Sequence, residues 1–166
     1  MGEMTGKTYV LRDATLDDLI EVVRLVRELA VYERLAHEMV ATELDFASAL
    51  FGSHPRAFAM LAEVDGKPVG LALWFYNFST FLGRHGIYVE DVFVDPAYRG
   101  LGIGKAFFVH LARRAVAENC GRMEWAVLDW NTLAIDFYKK MGAQAMQEWT
   151  VQRLTGSALA ELAAKG

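Results

Sequence analysis

The chain has 166 residues, of which 54% are apolar and 23% charged, and its formal net charge at pH 7 is −4. This composition is that of a globular protein and excludes a disordered chain, and the length suits a single domain over residues 1–166. The negative charge argues against nucleic acid as a partner and only weakly favours a cationic small substrate.

From the sequence we expect no signal peptide, no myristoylation signal and no membrane span. The single cysteine, Cys120, permits no intramolecular disulfide, which fits a reducing, cytoplasmic location. The first residues contain no apolar stretch typical of a signal peptide, and Gly6 stands where a myristoylation signal requires Ser or Thr. Because no apolar run approaches the length of a membrane span, we expect a cytoplasmic protein with no membrane partner.

Hydrophobic periodicity and turn residues predict strands and helices along the whole chain. A β–α–β unit over 88–128 implies one parallel strand pair with a right-handed crossover, whereas the Asp65-Gly66 hairpin signal implies antiparallel pairing. We therefore expect an α/β (α+β) fold with a mixed sheet flanked by helices. The predicted elements are a strand over 8–12, a helix capped by Thr15 and ending near Tyr32, a helix over 43–50 capped by Thr42, strands over 57–64 and 69–77, a loop over 78–86, a strand from Tyr88 to Asp95-Pro96, a helix over 102–119, a strand over 123–128, a helix over 132–141, one or two strand segments within 143–154 and a short helix over 157–165.

A basic, glycine-rich loop follows the strand that begins at Tyr88 and opens directly into an apolar helical stretch. Glycines let backbone N–H groups approach a ligand closely, and a helix N-terminus offers unpaired donors and a favourable dipole to an anion. We interpret the loop as a pyrophosphate cradle. Its residues are Arg99, Gly100, Leu101, Gly102, Ile103, Gly104 and Lys105.

Three kinds of phosphate loop can be distinguished by their residues. A P-loop requires Ser or Thr after Gly-Lys, where this chain has Ala106, and a dinucleotide fingerprint counted from Gly100 would need glycine at Lys105. The acyl-coenzyme A pattern Arg/Gln-x-x-Gly-x-Gly/Ala is matched in full by Arg99, Gly102 and Gly104. For so short a pattern the alternative is a surface turn that caps a helix.

Four segments together resemble the GCN5-related N-acetyltransferase (GNAT) family, and within it the diamine (spermidine/spermine) and thialysine acetyltransferases. They are Tyr32-Glu33, residues 88–104, residues 126–131, and Phe137-Tyr138-Lys139-Lys140 followed by Gly142-Ala143. The resemblance implies a mostly antiparallel mixed sheet with a splayed parallel strand pair and a bulge near Asp91 to Phe93. It also implies acetyl-coenzyme A as co-substrate, with its pantetheine arm between the splayed strands, and a homodimer.

The reaction that the resemblance implies is attack by a neutral primary amine on the thioester of acetyl-coenzyme A. An ammonium group with a pKa of about 10.4 must lose a proton, and the departing thiolate, whose thiol has a pKa of about 8.5, benefits from gaining one. By resemblance Tyr138 is the acid, and Glu90, acting through a water, is the candidate base. From residue type alone Tyr138 could simply pack beside Phe137, and Glu90 could be a satisfied carboxylate or a substrate anchor.

Further binding residues are assigned by the same resemblance. Those for the amine substrate are Tyr32, Glu33, Glu90, Asp91 and Arg24, although Arg24 could equally be a surface residue. Backbone groups of Val92, Phe93 and Val94 are expected to contact the pantetheine arm, together with Asn131 and Ala134. Asn131 is also a good helix N-cap residue, and that role is sufficient on its own.

Other chemistries have little support in the sequence. The histidines lack metal-ligand spacing, no serine lies in G-x-S-x-G, and Cys120 has no evident activating partner, so we expect no metal. Because the stretch 77–85 carries no acidic run, a lysine-like amine is at least as favoured as spermidine. Two alternatives remain: acetylation of a protein or peptide amine, and a non-catalytic acyl-coenzyme A sensor.

Overall fold

The computed structural model describes residues 8–165, which fall into two compact units, the first ending at Ala126 and the second beginning at Val127. Within 8–165, five strands and three α-helices belong to the first unit and two α-helices to the second. The elements are β1 (Tyr9–Asp13), α1 (Leu19–Tyr32), α2 (Glu43–Phe51), β2 (Phe58–Val64), β3 (Lys67–Ser79), β4 (Arg84–Val94), α3 (Ile103–Ala117), β5 (Met123–Glu124), α4 (Thr132–Lys140) and α5 (Gly156–Ala163). The expected single domain over 1–166 stays a prediction, and no helix within 8–165 has both the length and the apolar character needed to cross a membrane.

The five strands form one sheet in the order β1-β2-β3-β4-β5. Every neighbouring pair is antiparallel except β4 and β5, which are parallel. The predicted mixed sheet is therefore confirmed. The Asp65-Gly66 hairpin is confirmed as well, since φ is 52° at Asp65 and 74° at Gly66, as a type I′ turn requires.

The predicted loop over 78–86 is too long, because only residues 80–83 form a turn. Here β3 continues to Ser79 and β4 already begins at Arg84, so the two strands form one long hairpin with cross-strand pairs as far as Ser79↔Arg84. The aromatic rings of Phe78 and His85 meet edge to face with centroids 5.4 Å apart. Cross-strand pairing of this kind stabilises strands whose own residues suggest a loop.

Two further strand predictions also fail. The strand expected over 123–128 is only Met123–Glu124, and no strand forms within 143–154. Residues 144–155 are exposed to solvent throughout. A strand exists only through hydrogen bonds to a neighbour, and no described residues pair with these segments.

A β-bulge at Glu90 interrupts the alternation of side chains along β4, so that Val89 and Asp91 lie on opposite faces of the sheet. Leu73 pairs with Asp91 and Trp74 with Val89, so Glu90 has no partner in the ladder. Leu73 belongs to the hydrophobic cluster shared with α1, whereas the Trp74 ring lies 5.4 Å from the guanidinium carbon of Arg114 in α3. Because directly paired residues share a face, Val89 faces α3 and Asp91 faces α1. The bulge thus lies one residue before the range expected from the resemblance.

A charged network fixes the start of α1 against the sheet. Arg12 of β1 donates to both carboxylate oxygens of Asp18 at 2.7 Å and to Glu63 of β2 at 2.6 Å. Asp18, which is only 9% exposed, also accepts the backbone N–H of Thr15 at 2.8 Å. The predicted capping pair is therefore present, but Thr15 precedes a short 3-10 helix, Leu16–Asp18, that leads directly into α1. Hydrogen bonding from Arg12 holds the pKa of Asp18 well below its usual range.

Asp18→Ala is expected to lower the free energy of unfolding by about 2 kcal/mol at pH 7, because it leaves Arg12 with one acidic partner and removes the acceptor of the Thr15 N–H. The folded pKa of Asp18 is depressed, so its contribution is present at neutral pH and is lost progressively below about pH 4. Urea unfolding at pH 7 and pH 2.5 measures both effects, with exposed Asp17→Ala as the control. A deficit of equal size at both pH values would contradict this account.

Candidate active site

Three acidic side chains at and near the bulge interact electrostatically: Glu90 and Asp91 of β4, and Glu33, which follows α1. Burial raises the pKa of Asp91 to about 7, and the charges of Glu90 and then Glu33 add to that rise. Burial also raises the pKa of Glu33, with a further contribution from Glu90. Glu90 itself is exposed to solvent. The structure therefore brings three of the predicted substrate residues into one electrostatic cluster.

This carboxylate cluster has no cationic partner among residues 8–165. The ion pairs formed there involve other acidic residues, and no group of three or more His, Cys, Asp or Glu side chains in this part of the chain is placed to hold a metal ion. Unpaired carboxylates in a partly buried position favour a cationic ligand. The cluster is therefore suited to an organic cation such as an ammonium group.

Tyr32 connects the cluster to the glycine-rich loop. The guanidinium carbon of Arg99 lies 4.8 Å from the centroid of the Tyr32 ring, which is cation–π geometry. The Nε of Arg99 also donates to the carbonyl of Val94 at 3.1 Å. A residue predicted for the coenzyme and one predicted for the amine are thus in direct contact.

Arg24 is engaged elsewhere. Its Nη2 lies 2.6 Å from Glu21 and its Nη1 2.8 Å from Glu28, and Nη2 also donates to the carbonyl of Pro68 at 2.9 Å. These contacts tie α1 to the start of β3 and give Arg24 a structural role. Its place in the substrate pocket stays a prediction.

The glycine-rich loop has the backbone geometry of an anion site. Gly100 and Gly102 have φ of 88° and 82°, in the left-handed region that glycine tolerates best, and Gly102 is the N-cap of α3. A Cβ added at Gly100, Gly102 or Gly104 would meet no atom within 4 Å. The first helical bond runs from the N–H of Ala106 to the carbonyl of Gly102 at 2.9 Å.

The backbone N–H groups of Ile103, Gly104 and Lys105 come before this first helical bond. They therefore have no acceptor within the helix and point outward from the N-terminal end of α3. Ile103 is buried and anchors the first turn, Leu101 is half-buried, and Lys105 is exposed. Open space, unpaired donors and the positive end of the helix dipole fit a phosphate group.

One edge of β4 is available for a ligand. Pairing with β5 covers only Ile87↔Met123 and Tyr88↔Glu124, so no described strand pairs with that edge from Val89 to Val94. The backbone groups on this edge, including those of Val92 and Val94, can hydrogen-bond an extended ligand as a strand would. Phe93 lies between them with its side chain buried in the core and pairs with Leu71 of β3, so its backbone contact with a ligand stays a prediction.

The second unit carries the predicted acid. Asn131 is the N-cap of α4, and its Oδ1 accepts the N–H of Ala134 at 3.3 Å, so the predicted cap is confirmed. Tyr138 is half-buried on α4, with its ring centroid 5.6 Å from that of Phe137. The catalytic role of Tyr138 and the coenzyme contacts of Asn131 and Ala134 stay predictions.

Sequence reasoning assigned Asp91 to the substrate but missed its altered proton affinity. Burial against the α1 face is the main cause of that change, followed by the charge of Glu90 and then by that of Glu33, which is far away in sequence. The neighbouring pair Glu90-Asp91 in an apolar strand was the available signal. It indicated an unusual site without indicating which carboxyl is buried.

Comparison with known proteins identifies the relatives of this chain. Residues 20–143 match the family model described as "Acetyltransferase (GNAT) family". The chain is 38% identical to the thialysine N-epsilon-acetyltransferase of Bos taurus, covering 94% of this chain and 98% of that protein, and 34% identical to an L-ornithine N5-acetyltransferase of Arabidopsis thaliana, covering 90% and 85%. An integron cassette protein from the mobile metagenome of V. cholerae superimposes with a TM-score of 0.80 at 29% identity, covering 97% of this chain and 100% of that one.

Proposed function

The chain belongs to the acetyltransferase (GNAT) family and is an N-acetyltransferase, and on that premise we propose that it acetylates the primary amine of a small cationic molecule. The observation that carries this proposal is the carboxylate cluster of Glu33, Glu90 and Asp91, which has no cationic partner among residues 8–165. An ammonium group would neutralise the cluster. Relatives named for the N-epsilon of thialysine and the N5 of L-ornithine support this substrate class.

A lysine-like amine is the substrate we favour over a polyamine. A polyamine carries several positive charges along its length, and its binding needs carboxylates spread over a comparable distance. The end of the β3–β4 hairpin, from Asn77 to His85, contains no acidic residue and includes Arg84. The acidic charge is concentrated at the bulge, which supports a substrate that is recognised there through one ammonium group. A diamine also belongs to this class of substrate.

Acetyl-coenzyme A is the proposed co-substrate, and the residues present fit it. The open space over Gly100, Gly102 and Gly104 and the unpaired N–H groups at the start of α3 suit the phosphates, with Arg99 and Lys105 adding positive charge. The exposed edge of β4 from Val92 to Val94 suits an amide-bearing arm. Asn131 and Ala134 are proposed to contact the same arm.

Two residues of the chain are proposed to move the protons. When bound, acetyl-coenzyme A supplies the thioester that the amine attacks. Glu90, exposed at the bulge, takes the ammonium proton through a water, and Tyr138 gives the hydroxyl proton to the departing sulfur. Glu33, Asp91 and Tyr32 orient the amine for attack.

A homodimer in the cytoplasm is the proposed state of the protein. Large apolar side chains at the end of the chain are exposed, which supports a second copy that covers them. They are Trp149, Val151, Leu154, Leu159 and Leu162.

The function is tested by thiol release from acetyl-coenzyme A with purified protein and a panel of amines: thialysine, lysine, ornithine, putrescine, spermidine and a short lysine peptide. We expect release with at least one lysine-like amine at a rate above that with spermidine. Release with the peptide alone would instead support acetylation of protein amines. Silence across the panel despite tight coenzyme binding would favour a sensor, and no coenzyme binding would mean that the loop is misinterpreted.

A further inference from the structure

The bulge places Asp91 where an ionised carboxylate is poorly stabilised. We propose that Asp91 carries a proton in the empty site and releases it when a cationic amine docks, so that amine recognition exchanges one proton for one ammonium group. This inference rests on the proposed function and deepens it. It gives Asp91 a role separate from that of Glu90, which remains the proposed base.

The first support is geometric. Asp91 pairs with Leu73 across the ladder and is followed two residues later by buried Phe93, both in the apolar cluster under α1. Asp91 is half-buried on that face, and no donor among residues 8–165 hydrogen-bonds to its carboxylate. A carboxyl group without a donor in apolar surroundings is more stable in its neutral form.

The second support is the charge around Asp91. Glu90 on its own strand and Glu33 at the end of α1 are both acidic, and β3 contributes apolar Leu73 opposite it. Tyr32 also ends α1, but the nearby Arg99 guanidinium lies over its ring. Burial and the two acidic neighbours raise the pKa of Asp91 to about 7, which leaves a proton on the group for part of the physiological range.

Docking of an ammonium group reverses this balance. An opposite charge within about 4–6 Å lowers the pKa of a carboxyl group by about 1–3 units. The O–H bond of Asp91 then breaks, its proton passes to solvent, and the carboxylate pairs with the ammonium group. Amine affinity should therefore rise between about pH 6 and pH 8, although the amine itself titrates only near about pH 10.4.

Calorimetry measures the exchange directly. Thialysine or ornithine is titrated into protein saturated with coenzyme A, which permits no turnover. The titration is run in phosphate and in ACES at the same pH, two buffers that differ in ionisation enthalpy, so that the difference in heat gives the number of protons released. We expect release of about half a proton at pH 7, more at pH 6 and little above pH 8, given a pKa of about 7 for Asp91.

Matched variants assign the proton to one carboxyl group. Asp91→Asn should abolish proton release. Glu33→Gln and Glu90→Gln should keep it but move it to lower pH, because each removes a negative charge that raises the pKa of Asp91. Release that persists in Asp91→Asn, or that disappears in Glu90→Gln alone, would overturn the proposal, as would the absence of release from the wild type at pH 6.5.

The protonated empty site is also testable without any amine. The folded pKa of Asp91 lies above its unfolded value, so its contribution to stability is present at low pH and is lost as pH rises towards 7. The unfolding temperature of Asp91→Asn should therefore fall less between pH 5 and pH 8 than that of the wild type, and equal falls would overturn the inference. If no amine is acetylated while the unfolding temperatures behave as expected, the proposed function is wrong. The protonation of Asp91 in the empty site would then stand, and only its release on docking of an amine would be overturned.

Discussion

Replacement of Tyr138 by phenylalanine is expected to lower turnover by about 100-fold or more while changing coenzyme affinity little. The substitution removes one hydroxyl group and leaves the ring, which lies 5.6 Å from Phe137 on α4, to pack as before. A thiolate leaves more readily when a proton reaches its sulfur, and we assign that proton to the Tyr138 hydroxyl. Steady-state kinetics with a saturating amine would measure the loss, and calorimetry would measure coenzyme binding.

Tyr9→Phe is the matched control for this experiment. Tyr9 is half-buried on β1, and its hydroxyl has no part in the proposed chemistry, so its loss should leave turnover within about twofold of the wild type. If Tyr138→Phe retains full turnover, the acid is another group or a water. If the variant instead loses coenzyme affinity in proportion to turnover, the hydroxyl contributes to binding and not to proton transfer.

Gly104→Val is expected to weaken coenzyme A binding by about 30-fold, the equivalent of losing about one charge-assisted hydrogen bond to phosphate. Gly104 lies in the first turn of α3 with ordinary helical backbone angles, and an added Cβ would meet no atom within 4 Å. The fold should therefore accept the larger side chain. Its methyl groups would occupy the space that the proposed phosphates need above the start of the helix.

Two control variants separate this effect from a loss of stability. Ala112→Val changes an exposed position further along α3, and Gly66→Val places a β-branched residue at a φ of 74° in the β2–β3 turn. The first should leave both stability and coenzyme affinity nearly unchanged, and the second should reduce stability without a specific effect on affinity. If folded Gly104→Val binds coenzyme A as tightly as the wild type, the phosphates do not lie at the start of α3.

Features encoded by neighbouring residues were predictable from the sequence. The Asp65-Gly66 turn needs left-handed backbone at two consecutive positions, which these residue types indicate directly. Thr42 accepts the N–H of Asp45 at 3.3 Å, as the spacing of a capping residue and its partner predicts. The glycine-rich loop is likewise contiguous in sequence, so its position before α3 followed from the order of its residues.

Features that depend on distant partners were not predictable. The start of β4 at Arg84 is set by pairing with Ser79 across the hairpin. In the same way, β5 ends after Glu124 because β4 pairs with it only as far as Tyr88. The proton affinity of Asp91 is raised mainly by burial, then by Glu90 and by Glu33, which follows α1 and is distant in sequence. The resemblance indicated that a bulge exists near this point, but only the ladder register identifies Glu90 as the unpaired residue.

Because Glu90 has no partner in the ladder, β4 can become one residue shorter without a change in the pairing of its other residues. A chain lacking only Glu90 would keep Val89 opposite Trp74 and Asp91 opposite Leu73, and the two strands would close into a regular antiparallel ladder with both hydrophobic faces intact. The fold therefore has no need of this residue, and a one-residue gap here is a change in length that the sheet can absorb. Related strands with and without the extra residue could share one architecture while differing by a single carboxylate.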